Sequence, residues 1–92
     1  MPYFVRVGAV EENVSGVGAR GYHLFRRGRT VVTRWGAVEV LPGRQFRWVY
    51  RQEKRYTLRS ETAARAEYQR RVAERSVSYD RLPRGSSIQG SG

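Results

Sequence analysis

Cysteine is missing from this 92-residue chain, and histidine and methionine occur once each. Without thiols there is no disulfide framework, no thiolate metal site and no cysteine nucleophile. The single histidine, His23, does not build a zinc centre unaided, and no carboxylate cluster replaces the missing ligands. Lysine is nearly absent as well: Lys54 stands beside seventeen arginines. No apolar run approaches the roughly 18 residues of a transmembrane helix. The N-terminus MPYFVRVGAV lacks the basic-then-apolar layout of a secretory signal. These absences predict a small, soluble, intracellular domain, cytoplasmic and nucleoid-associated if bacterial, with no membrane partner.

Acidic residues are the other scarcity, and they are unevenly placed. Eighteen cations face eight acids, a formal net charge of +10. Residues 1–19 carry a net −1, residues 60–92 a net +2, and residues 20–59 a net +9, from ten arginines and Lys54 against Glu39 and Glu53. A solvated face interleaves both signs, so this segment implies either a polyanionic partner or a composition bias. A GC-rich genome accounts for arginine over lysine but not for the missing acids. Nucleic acid is the commonest polyanion, because phosphate contacts release counterions.

With 39% hydrophobic residues and 12% aromatics, the chain can bury a small core. Residues 2–10 alternate, with Tyr3, Val5 and Val7 opposite Phe4 and Arg6, which predicts a strand. Residues 11–21 are glycine-rich and predict a loop. Tyr22–Arg27 and Thr30–Trp35 predict strands joined by a turn at Gly28-Arg29. Gly36 suggests a bulge or bend before Ala37–Leu41, and Pro42-Gly43 a turn. Phe46, Trp48 and Tyr50 would share one strand face, and Arg51–Lys54 would turn the chain before Arg55–Arg59. The period then changes. Ser60 is a good N-cap, Glu61 complements the helix dipole, and Ala64, Tyr68 and Val72 form an i, i+4, i+8 stripe. The expected fold is α+β: an antiparallel sheet of four to five strands with one helix, about 60–75, packed across it. A single domain over 1–82 would be followed by a flexible tail over 83–92.

Two motifs invite chemistry and do not sustain it. Gly16-Val17-Gly18-Ala19-Arg20-Gly21 spells G-x-G-x-x-G, but a strand is expected to follow it and no β-α-β alternation does. His23 lies in a predicted strand with no nucleophile nearby, and Glu11, Glu12 and Glu53 fall in a loop and a turn. Neither an enzyme nor a cofactor is expected. The tryptophans are more informative. Trp48, between Phe46 and Tyr50, reads as core. Trp35, before a glycine, suits a contact or the core equally, and an indole beside guanidiniums can stack on a sugar or base. Helical Arg70, Arg71 and Arg75 read as a solvated face.

The stretch YHLFRRGRTVVTRWGAVEV, with RYTLRSETAARAEYQRRVAERSVSY after it, resembles a WGR domain, the Trp-Gly-Arg module of DNA-dependent poly(ADP-ribose) polymerases and of bacterial proteins. The resemblance covers roughly residues 3–80, and it implies the same α+β fold and binding at a DNA end. By that resemblance Trp35 would pack against sugar and Gly36 would let the backbone approach the DNA. The chain departs from the signature at its third position, where Ala37 replaces arginine; Arg34, Arg29 or Arg47 could supply the charge. ADP-ribosylation does not follow from the likeness.

The predicted nucleic-acid site is therefore Trp35 and Gly36, the cations Arg27, Arg29, Arg34, Arg47, Arg51, Lys54 and Arg55, and Tyr79. DNA (ends, nicks or junctions) is the favoured partner over RNA. The alternative is a protein-interaction or assembly module that keeps the fold without the DNA site, as the missing signature arginine suggests.

Overall fold

Alternation in the first strand sets the frame. In β1 (Tyr3–Val7), Phe4 points to one side and Val5 to the other, and both are fully buried. A strand buried on both faces needs cover on both, and the rest of the chain provides it. The computed structural model describes residues 2–7, 18–43 and 45–90. After β1 come β2 (Gly18–Arg27), β3 (Thr30–Leu41), β4 (Gln45–Thr57), α1 (Glu61–Ser78), β5 (Asp80–Arg81) and β6 (Ile88–Gln89). The fold is α+β, one helix packed against a curled six-stranded sheet in the order β5-β1-β2-β3-β4-β6. No helix among the described residues is long and apolar enough to cross a membrane.

The first face is closed by the helix. Ser60 caps it as expected, its hydroxyl oxygen accepting from the Ala63 amide at 3.1 Å. The stripe packs as its spacing requires: Ala64 is buried with Phe4, Tyr22, Leu24 and Val31, and Tyr68 and Val72 flank them. The helix runs to Ser78, three residues past the expected end, with Arg75 in a last turn where a cation suits the dipole.

The second face is closed by the chain after the helix, including residues 83–90 of the segment expected to be a flexible tail. Leu82 and Ile88 are buried with Val5, Ala19, Val38 and Phe46. β5 pairs antiparallel with β1, and β6 pairs parallel with β4, so the sheet is mixed rather than wholly antiparallel. The linker between them turns at Pro83–Ser86, where the Ser86 amide donates to the Pro83 carbonyl. In a flat sheet the two outermost of six strands lie about 24 Å apart. That is near the limit of the linker even when fully extended, so the sheet must curl to bring its edges within reach.

Three further expectations are corrected. β2 begins at Gly18 rather than Tyr22: Ala19 is fully buried, and a Cβ on Gly21 would collide with the side chains of Val38 and Ile88. Gly21 serves close packing, not a loop. Gly18–Gly21 thus lie in an antiparallel strand and open no helix, while Gly16 and Val17 lie outside the described residues. β4 is one 13-residue strand with no turn at Arg51–Lys54, held by its pairing with β3 from Leu41↔Gln45 to Thr30↔Thr57. Finally, the register slips between Ala37 and Val38: Val38 pairs with Trp48 and Ala37 with Tyr50, so Val49 is an extra residue. This bulge moves Tyr50 to the face opposite Phe46 and Trp48. Gly36 sits beside it, where a Cβ would collide with the Tyr50 carbonyl.

Candidate nucleic-acid interface

Because strand side chains alternate, Trp35 and Arg34 cannot serve the same surface. The cross-strand register puts Trp35 level with Tyr22 of β2 and Gln52 of β4, on the helix side. Arg34 lies level with His23 and Glu53, on the other side. The expected pairing of indole and adjacent guanidinium is therefore broken by the pleat.

What Trp35 does face is a cleft of about 320 Å³ between the sheet and the C-terminal half of the helix. Its sheet wall is built from Arg20, Tyr22, Trp35 and Tyr56, with Gly36 and Thr33 at its floor; its helix wall is Arg71, Arg75 and Tyr79. The Arg75 guanidinium lies 4.3 Å from the Tyr22 ring centre and 5.9 Å from that of Tyr79. Arg71 lies 4.2 Å from the Tyr56 ring, and Lys54 reaches the same ring at 5.3 Å. Tyr22 and Tyr79 meet edge to face, with ring centres 6.1 Å apart. A guanidinium lying on a ring keeps its charge and its in-plane N–H donors while losing freedom to wander, so Arg75 is held ready for an anion.

The charge of the cleft is one-sided. Among the described residues no carboxylate lines it. Arg71 donates to Glu67 at 2.6 Å, and that carboxyl is held below the usual carboxylate range by hydrogen bonds from Arg70 first, then Arg71. Among the described residues, Arg20 and Arg75 pair with no carboxylate. Trp35 is half-buried and, unlike Tyr22, Tyr56 and Tyr79, is stacked by neither a ring nor a cation among the described residues.

Of the ten residues the sequence singles out, the cleft therefore contains Trp35, Gly36 and Tyr79, with Lys54 beside it. The others lie elsewhere. Arg34 and Arg55 both bond Glu53, at 2.6 and 2.9 Å, and those bonds hold its carboxyl low. Arg51, level with Gly36, is half-buried on that same far face. Arg47 is paired with Glu39 beyond the bulge. Arg27 and Arg29 flank the exposed β2–β3 turn, where Gly28 has φ +58.

Arg20, Tyr22, Tyr56, Arg71 and Arg75 are the site residues that sequence reasoning did not select. Arg71 and Arg75 are not a solvated face: they follow Ala64 and Tyr68 at helical spacing and continue the sheet-facing stripe. That spacing was the available signal. Arg70, exposed between Glu67 and Glu74, does sit in water as expected.

His23 is buried on the far face, stacked on Tyr3 at 3.8 Å and tilted against Phe25 at 5.2 Å. Among the described residues its Nε2 has no hydrogen-bond partner. Burial above all, then the charge of Arg34, pushes its pKa down to about 4, so it stays neutral. Among the described residues no three His, Asp or Glu side chains gather as a metal would need. Compared with known proteins, the chain matches no family model, no curated protein and no solved structure.

Proposed function

We propose that this chain is a nucleic-acid-binding domain, favouring DNA over RNA, whose site is the cleft around Trp35. The observation that carries the reading is the cleft's composition: an indole among guanidiniums that, among the described residues, is unstacked and has no carboxylate in the lining beside it. Arginines would hold phosphates, and Trp35 would stack on a sugar or base at an end, nick or junction. Binding rather than turnover is the proposed activity, in the cytoplasm, or at the nucleoid if the protein is bacterial.

The WGR-like reading gains a physical argument from the register. Ala37, which stands where the family has arginine, lies directly across from Arg20 on the same face. A guanidinium is therefore present beside the empty position, supplied by the neighbouring strand. Arg71 and Arg75 add charge from the helix, where the sequence suggested Arg29, Arg34 or Arg47.

A salt-series anisotropy titration tests this. Duplex DNA with an open, 5′-phosphorylated end would be compared with the same duplex capped by hairpins and with single-stranded RNA. If about five phosphates are neutralised, log K falls with log salt at a slope of about −4 to −5. Trp35→Ala should weaken binding to the open end more than to the capped duplex. Equal loss on both would remove Trp35 from the site, and no binding at low salt would turn attention to protein partners.

A further inference from the structure

The cleft is bounded on two sides by protein, and this constrains what can enter. We infer that it receives a single unpaired nucleotide, whose base lies against Trp35 and whose phosphate is held by Arg20 and Arg75. The inference rests on the nucleic-acid reading above and narrows it from nucleic acid in general to one extruded or overhanging residue.

Three observations carry it. The first is size: 320 Å³ sits at the lower end of the about 300–1,000 Å³ of small-ligand clefts. That is room for one base with its sugar phosphate, not for a base pair with two. The second is the state of the rings. Tyr22 and Tyr56 already carry Arg75 and Arg71 on their faces, and Tyr79 stands edge-on to Tyr22. Among the described residues Trp35 alone of the cleft's aromatic rings has no such partner, so one stacking platform is on offer. The third is the placement of free charge. Arg20 and Arg75, unpaired among the described residues, come from the sheet wall and the helix wall respectively. A ligand reaching both would bridge the walls of the cleft that the indole also lines. A duplex end lying across the mouth would meet the cations but could not lay a base on Trp35 without unpairing it. Stacking of this kind tolerates any base, because every base has a π face, so little sequence preference accompanies it.

The test uses the full chain and hairpins with one open end: blunt, carrying one unpaired 5′ or 3′ nucleotide, or carrying the same overhang with an abasic residue. All are titrated at one salt concentration and again across a salt series. The expected result is an overhang bound about tenfold more tightly than the blunt end, with most of that gain lost when the base is removed and the phosphate kept. Arg75→Gln should reduce the overhang's advantage. Equal affinity for blunt, overhanging and abasic ends, with a steep salt slope retained, would overturn the single-nucleotide cleft and leave the nucleic-acid reading standing. Absence of binding to every ligand at low salt would overturn both.

Discussion

The guanidinium of Arg75 lies 4.3 Å from the ring centre of Tyr22, so the last turn of the helix is tied by a cation to the middle of β2. The contact gives one residue two roles, closing the cleft wall and presenting charge into it. Arg47 is the natural contrast: it is exposed and already paired with Glu39. Each phosphate neutralised contributes about 0.7–0.9 to the salt slope, so Arg75→Gln and Arg20→Gln, which share one phosphate, should each flatten the slope by up to that much. Arg47→Gln should leave it nearly unchanged. A slope series on the three variants checks this, and an Arg47 effect equal to that of Arg75 would move the interface away from the cleft.

Gly36 gives a prediction about stability rather than binding. Its backbone lies so close to the Tyr50 carbonyl, at the bulge made by Val49, that a Cβ has no place. Gly36→Ala must push β3 from β4 or unmake the bulge, an overpacking cost of about 1–3 kcal/mol. In a domain of this size that corresponds to a fall in Tm of very roughly 5–20 °C. Thermal unfolding followed by circular dichroism measures it. Because Gly36 also lines the cleft beside Trp35, the variant should lose binding beyond its loss of stability.

His23 predicts a pH window. Its pKa is about 4 in the folded chain, against an ordinary 6.5. The folded state therefore binds fewer protons than the unfolded state between those values. The stabilisation is complete above pH 6.5 and is lost as pH falls towards 4, by up to about 3 kcal/mol. Glu53 and Glu67, whose carboxyls are lowered by arginine hydrogen bonds, lose their contribution only below their ordinary value of 4.5. The interval from pH 6.5 to 5 thus belongs to the one histidine. Urea midpoints across it should fall in the native chain and stay flat in His23→Phe, which keeps a ring between Tyr3 and Phe25 and removes the titrating nitrogen.

How far the fold was legible follows from where its information lies. The helix was plain because Ser60, Ala64, Tyr68 and Val72 announce cap and stripe within a dozen residues, and the turns at Gly28 and Gly43 because both adopt positive φ. The bulge was half legible: Gly36 marks its place, but the extra residue, Val49 of β4, looks like any strand residue and its slip is fixed only by how β3 lies against β4. The cleft was half legible for a similar reason. Trp35 and Tyr79 stand out by type, whereas Arg71 and Arg75 look like solvent charges until Tyr56 and Tyr22, distant in sequence, are placed beneath them. Arg34 misled because adjacency in a strand means opposite faces.

The C-terminal segment was least legible, because β6 is two residues long and follows Pro83, Gly85 and two serines. Such composition ordinarily marks a tail, yet Ile88 is 5% exposed and packs with Val38 and Phe46. Its side chain also lies against Gly21, so the glycine of β2 and the isoleucine of β6 are fitted to one another. Ile88→Ala should therefore behave as a core truncation, costing about 2–5 kcal/mol, whereas Ser87→Ala, exposed one residue earlier, should cost less than about 0.5 kcal/mol. Denaturant unfolding of the two variants decides it: equal, negligible effects would mean that residues 83–90 do not close the second face in solution. Nucleic-acid binding gives an independent check, since the cleft lies on the helix side and Ile88 on the other. At temperatures where Ile88→Ala is still folded, its affinity should match that of the native chain.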